Sequence, residues 1–521
     1  MTSSPKGLLS IFSKVSVFTA LSRIFGFTRD IILAIVLGLG PVSDAFFVAF
    51  KLPNLFRRLT AEGAMASAFV PGYTGVEQKH GIKQAMRMAG EVQSLLILVL
   101  ILIVIVFELF MPVVITLIAP GFSYGGGVSR MDTAVQLARI TMPYLPLISL
   151  LALWISISNI YGRFALGASV PVIMNAVMIS GALLAWWLWP DLSQQADSFN
   201  RALIVAAAVT AGGIIKLVII GIMLIRIGRM PPLMPPITRS GISPHSRLLW
   251  RRFFPAALGA AGTQINLLID TILASLLAVG SISQLYFADR IAQLPLGVVG
   301  IALGVALLPT LSRLEQMDDV DIGAVRSVIH RGLLIGMLAG LPAMAGVMVI
   351  AEHLIRGLFA YGAFDAGMVY PTALVLMAYG VGIPAFILVK TLQPAFYAAG
   401  DTKTPMWITI ISVMINICLS LILMRYFAAA GLALATSISL WCSTFILAVI
   451  LIMRQRIDAS ICLPILTIIL ITAVMACGVY GLKSVLPDMP AWQSLVILMA
   501  ASMVIYAPLV VISGIWRRLK A

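Results

Sequence analysis

The chain has 521 residues, of which 61% are hydrophobic and 11% charged, with a formal net charge of +15. That composition excludes a soluble globular protein of this length. Apolar stretches of twenty residues or more match membrane-spanning helices and exclude a β-barrel, whose strands alternate at period two.

Apolar runs between polar breaks predict fourteen spans, with cores at 10–36, 44–71, 92–118, 136–162, 167–189, 202–225, 250–279, 284–311, 329–356, 370–398, 405–427, 431–453, 460–482 and 492–516. The first has the outline of a signal peptide, with Lys6 before an apolar run. Arg23 and Arg29 interrupt that run and no small-residue cleavage site follows, so an uncleaved helix is expected. An even count returns both termini to one side. The connections on that side carry twenty Lys and Arg against five (Arg130, Arg201, Arg356, Arg425 and Lys483) on the other, which predicts cytoplasmic termini. The same bias accounts for the basic charge without any nucleic-acid partner.

Spans 1 and 2 break the apolar rule. Between residues 23 and 62 lie Arg23, Arg29, Asp30, Asp44, Lys51, Arg57, Arg58 and Glu62. Ionised groups at membrane depth cost a few kcal/mol each or more, so these must face one another or a water-filled cavity. Five bases against three acids leave an excess that an anion would offset, and arginine's planar fork suits a phosphate. Internal salt bridges that fix helix packing are the plainer alternative, above all for Arg57, Arg58 and Glu62.

A proline-rich stretch, MPPLMPPITRSGISPH, lies within 227–249 and reads as a linker. Across it the chain repeats. DIILAIVLGLGPVSDAFF (30–47) aligns with DTILASLLAVGSISQLYF (270–287) at an offset of 240, with eight of eighteen positions identical, Asp30/Asp270 and Gly40/Gly280 among them. Six spans separate the copies, so both run the same way: parallel repeats, which hold substrate between two halves in transporters so built. The predicted organisation is an N-terminal six-helix lobe (1–227), a cytoplasmic linker (228–249), a second six-helix lobe (250–456) and two extra helices (457–521), all-α throughout. Span 8 carries Asp289 and Arg290 opposite the first lobe's charges. Asp270, with Asn416 and Thr436 from later spans, offers oxygen ligands for a small cation; a protonated or helix-bonded Asp270 is the competing reading.

Glu108 and Lys216, near span ends, are expected to snorkel. Asp318, Asp319 and Asp321 occur once, on a loop, and read as a solvated acidic turn rather than a metal motif. The four cysteines, Cys418, Cys442, Cys462 and Cys477, lack metal or disulfide spacing and read as reduced core residues. There is no phosphate-binding G-x-x-x-x-G-K-[ST] loop, so nucleotide hydrolysis is not expected.

The strings SRIFGFTRD, SDAFFVAFKLPNLFRRLTAEGAMASAFVP, YFADRIAQLPLGVVGIALGVALLP and PAFYAAGDTKTP resemble the MurJ/MviN family of lipid II flippases over essentially the whole chain. The resemblance implies two lobes around a central cavity, and two extra helices forming a groove for a polyprenyl tail. It implies transfer of undecaprenyl-diphosphate-linked disaccharide-pentapeptide from the cytoplasmic to the periplasmic leaflet of the bacterial inner membrane, by alternating access and without enzymatic chemistry. Arg23, Arg29, Arg57 and Arg290 carry over as functional arginines, with Asp30, Asp44, Glu62 and Asp289 as motif acids. Sodium, another monovalent cation or the membrane potential would drive transport. Membrane lipids and proteins of cell-wall synthesis or division are the implied partners. The chain departs from the family at Gln293, where glutamate is common, and at Ser420, where the cation site carries an acid. The alternative is a cation-coupled multidrug exporter, or an exporter of another polyprenyl-linked oligosaccharide, from the same superfamily; a cationic drug would favour an acidic cavity over this basic one.

Overall fold

A computed structural model describes residues 5–60, 64–123, 130–190, 195–235, 243–317, 321–487 and 489–515. Every regular element among them is helical. The chain forms two compact units, Met1–Gly280 and Ser281–Ala521.

The first unit contains α1 (Pro5–Leu37), α2 (Pro41–Thr60), α3 (Ala64–Leu109), α4 (Met111–Ile118), α5 (Arg130–Thr141), α6 (Tyr144–Ile160), α7 (Phe164–Leu188), α8 (Gln195–Arg226) and α9 (Pro244–Ser275). The second contains α10 (Ser281–Pro295), α11 (Ile301–Glu315), α12 (Ile322–Phe359), α13 (Val369–Ala398), α14 (Lys403–Met453), α15 (Cys462–Val485) and α16 (Ala491–Ile512). The repeat counts α9 with the second lobe, but by packing it joins the first, lying on α2 and α3.

Ten described helical stretches are long and apolar enough to cross a membrane. Several depart from the expected limits for identifiable reasons. The second expected span straddles the end of α2 and the start of α3, and α3 turns sharply at Gly81, whose φ of +79° is open to glycine. Pro143 separates α5 from α6 within the fourth. A π-helical turn at Leu296–Gly300 divides the eighth, directly after the charged face of α10. By contrast the eleventh and twelfth keep their expected limits, because the kink of α14 at Ala428 falls between them. α1 and α2 fall outside the ten.

Small residues set the closest helix approaches. Gly332, Gly336 and Gly340 make a four-residue stripe on α12; an added Cβ would come within 2.8, 3.2 and 3.0 Å of Leu307, Ile387 and Pro384 respectively. Such stripes let backbones close up where no hydrophobic force drives association. In the first unit Arg201, 1% exposed, caps two helix ends. Its Nη1 donates to Val36 O at 2.9 Å, Nε to Trp189 O and Nη2 to Pro190 O, both at 2.8 Å. Carbonyls at the ends of α1 and α7 thus find donors they would otherwise lack.

At one end of the second unit, three ion pairs tie connections together: Arg454–Asp401 at 2.7 Å, Arg326–Asp458 at 2.7 Å and Arg456–Glu315 at 3.0 Å. The Thr404 N–H, then the Arg454 guanidinium and the Thr404 hydroxyl, hold the Asp401 carboxyl at about 2, below its ordinary 3.8. A depressed carboxyl stabilises the fold above its unfolded value and loses that contribution as pH falls through the folded one. Wild-type protein should therefore melt above Asp401→Asn at neutral pH, and the gap should close between pH of about 4 and 2. A gap of equal size across that range would remove the ion pair from the stability of this end.

α15 and α16 pack on each other and on α12. Two polar contacts fasten them: Lys483 Nζ donates to Val349 O at 3.2 Å and Tyr506 Oη to Leu338 O at 2.9 Å. Their other faces expose leucine, valine and isoleucine. Cys418, Cys462 and Cys477 are also exposed, so these reduced thiols lie on apolar outer faces and not in the core as expected.

Candidate functional site

Each charged residue of the apolar helices has its own setting. On α1, Arg29 donates from Nε and Nη2 to Asp30 Oδ1 at 3.0 and 2.7 Å, and from Nη1 to Asn175 Oδ1 on α7 at 2.9 Å. Asn175 in turn donates to Ser22 O at 3.2 Å. The guanidinium is therefore held between two helices, with its side chain 13% exposed. Arg23 is exposed. On a straight helix it stands about 9 Å along the axis from Arg29 and about 120° around it.

On α2, Asp44 is buried and its Oδ2 accepts the Gly280 N–H at 2.7 Å. Lys51 Nζ donates to Thr271 Oγ1 on α9 at 3.1 Å, one residue from Asp270. Arg57 Nε donates to Asn54 Oδ1 at 3.1 Å. The side chain of Arg58, together with Glu62, Asp318 and Asp319, lies outside the described residues. Arg29 and Asp30 thus form an ion pair, while Asp44, Lys51 and Arg57 also bond neutral groups.

In the second unit Arg290 pairs with Asp289 at 3.5 Å and lies over the Tyr286 ring, 4.9 Å from its centroid. Gln293 donates to Asp289 one turn before it, which occupies the acid that a glutamate would repel. Asn416 Nδ2 donates to Thr436 Oγ1 at 3.1 Å within α14. Asn416 Oδ1 is buried and finds no hydrogen-bond partner among the described residues, nor does Ser420 Oγ one turn later. These are neutral oxygens of the kind a small cation accepts. Asp270 belongs to α9 of the first unit. No cluster of three or more His, Cys, Asp or Glu side chains that could hold a metal occurs among the described residues.

Lys216 overturns the snorkelling expectation. It is 1% exposed, donates from Nζ to Tyr144 Oη at 2.9 Å and stands 4.7 Å from that ring's centroid. Gly213, one turn before it, lets the Tyr144 ring approach α8. Glu108 does sit near a helix end, 3.8 Å from Arg139. Residues that sequence reasoning passed over are the neutral partners Asn175, Thr271 and Tyr144. Asn175 had one available signal, as the sole amide in the apolar run of α7.

Among the described residues, the all-helical architecture and ten helices of membrane length define a polytopic membrane protein, with arginines embedded in its apolar segments. The family model described as "Lipid II flippase MurJ" matches residues 33–501. A "Probable lipid II flippase MurJ" of Rhizobium meliloti (strain 1021) is 37% identical over 516 residues, covering 96% of this chain and 92% of the relative. A solved "Lipid II flippase MurJ, inward closed conformation" superposes with a TM-score of 0.79 at 25% identity, covering 97% of this chain and 98% of that one. A multidrug resistance MATE family transporter in an inward-facing conformation shares the fold at a TM-score of 0.65 and 14% identity, over 83% and 94% of the two chains. The chain belongs to the lipid II flippase MurJ family.

Proposed function

We propose that the chain transfers the lipid-linked peptidoglycan precursor, undecaprenyl-diphosphate disaccharide-pentapeptide, from the cytoplasmic to the periplasmic leaflet by alternating access. The activity is transport rather than catalysis. The observation that carries this reading is Arg29, held in an apolar bundle by Asp30 and Asn175. In this reading the arginines of α1, α2 and α10, Arg23, Arg29, Arg57, Arg58 and Arg290, clamp the diphosphate; Asp30, Asp44, Glu62 and Asp289 belong to the same substrate-binding set; and the sugar-peptide head occupies the cavity. The polyprenyl tail stays in lipid along α15 and α16, whose outer faces are apolar. Asn416 and Thr436, with Asp270, serve a monovalent cation that couples transport to an ion gradient or the membrane potential.

The test is exposure of labelled precursor on the periplasmic side of cells depleted of their own flippase and supplied with this chain. Restored exposure is expected; none, from a chain inserted at normal level, would sink the proposal. Fourteen crossings with both termini cytoplasmic are part of the same reading, on the twenty-to-five charge bias. Single cysteines at exposed positions of 227–249, such as Leu233, Pro235 and Arg247, should then resist an impermeant thiol reagent in intact cells and react once the cells are opened. Labelling there from outside reverses the assigned direction.

A further inference from the structure

Away from the arginines of α1, α2 and α10, the first unit has a cleft of about 430 Å³ between α3 and the segment following α8. Lys83, Arg87 and Arg229 line it together with Met86, Pro232 and Met234. No carboxylate is among the described residues of that lining.

The cleft has built walls. α8 ends in a paired cap: the Arg229 N–H donates to Leu224 O at 2.8 Å and the Gly228 N–H to Ile225 O at 2.9 Å, with Gly228 at a φ of +65°. This arrangement fixes the direction in which the chain leaves the helix. The Arg229 guanidinium then lies over the Tyr161 ring, 4.7 Å from its centroid. Tyr161 is itself tethered, donating to Glu77 Oε1 at 2.8 Å and sharing a 3.0 Å hydrogen bond with Tyr73. The opposite wall is pinned where the Met234 N–H donates to Ser94 Oγ at 3.0 Å. Gly90 admits Pro232 so closely that a Cβ would stand 2.5 Å from its carbonyl oxygen.

Lys83 and Arg87 stand four residues apart on α3, where like charges repel. Arg87 has Glu91 at 3.8 Å on its far side. Lys83 and Arg229 have no ion pair among the described residues. Three cations therefore line a pocket with an apolar side, and its lining begins at Gly228, two residues beyond the end of the α8 span at Arg226. A phosphate between the cations and a glycerol or acyl stem against Met86, Pro232 and Met234 would satisfy both surfaces. We propose that this cleft binds a phosphate-bearing anion of headgroup size, with a membrane phospholipid as its source.

The test uses the full chain in neutral detergent, with melting temperature read against short-chain phosphatidylglycerol, short-chain phosphatidylcholine and inorganic phosphate. Phosphatidylglycerol should raise the melting temperature saturably and phosphatidylcholine should not. In Lys83→Gln/Arg87→Gln the half-saturating concentration should rise about tenfold or more. Both side chains are exposed, so this variant should melt like wild type without anion. Arg23→Ala should keep the wild-type response, which separates the cleft from the proposed diphosphate site. If inorganic phosphate alone reproduces the saturable, charge-dependent shift, the anion site stands and its ligand is a soluble phosphate. No saturable response to either anion, an unchanged response in the double variant, or a response lost in Arg23→Ala would overturn the proposal.

Discussion

Flippase-depleted cells supplied with Arg29→Ala at wild-type level are expected not to grow and not to expose lipid II. Arg29 donates to both Asp30 and Asn175, so its fork is already oriented before any ligand arrives. An oriented guanidinium loses little freedom on meeting a second anion, and each charge-assisted contact removed costs about 1.5–3 kcal/mol, roughly ten- to a hundredfold in affinity. Lysine keeps the charge but cannot bridge Asp30, Asn175 and a diphosphate from one planar group, so Arg29→Lys should also fail. Asn175→Ala separates orientation from charge. It should retain transport at reduced rate, with weaker diphosphate-analogue binding and a melting temperature lowered by a few degrees, since Arg29 and Ser22 each lose a buried partner. Arg23→Ala and Arg290→Ala should follow Arg29→Ala. Growth and lipid II exposure with all three alanine variants would mean that the arginines are structural and the clamp is wrong.

The second large effect concerns Arg201. Arg201→Ala should lower the melting temperature sharply and yield a protein readily cut by protease. The side chain is 1% exposed and donates to carbonyls of Val36, Trp189 and Pro190. Its removal strands several carbonyls at two helix ends, and each buried acceptor left without a donor costs about 1–3 kcal/mol. Arg201→Lys should recover only part, because one ammonium cannot span acceptors on both helices. If the alanine variant melts within a degree or two of wild type, α1 and α7 are closed by something else.

Much of this architecture was legible because lipid imposes a simple rule: a helix apolar on every face is a span. The expected limits hold where that rule acts alone, as in α7, α15 and α16. They slip where a local backbone event intervenes without changing hydropathy. Pro143 separates α5 from α6 inside the fourth expected span, and the π-helical turn at Leu296–Gly300 divides the eighth, whereas the kinks at Gly81 and Ala428 fall in connections that the sequence does mark. Lys216 was misread for a related reason. Position near a helix end suggests an exposed ammonium, whereas the Tyr144 hydroxyl that receives it lies 72 positions away. The charges of the candidate site could be seen as costly, but not as partnered, since Asn175 and Thr271 are neutral and lie far from Arg29 and Lys51 in sequence. The packing of α9 was hidden too, because repeat symmetry reports ancestry of the segments and not which neighbours they finally meet.

That placement of α9 bears on how the protein is made. Asp44 accepts from Gly280, Lys51 donates to Thr271, and the Ser275 hydroxyl accepts the Gly121 N–H. Three points on the early chain thus wait for partners that emerge from the ribosome much later. At ordinary synthesis rates the 154 to 236 residues that separate these partners take roughly 8–50 s. Through that interval the charges of α2 sit in the bilayer without their α9 neighbours. Insertion of the first unit is therefore a late-closing event, and a chaperone or insertase that shelters α2 would act in that window.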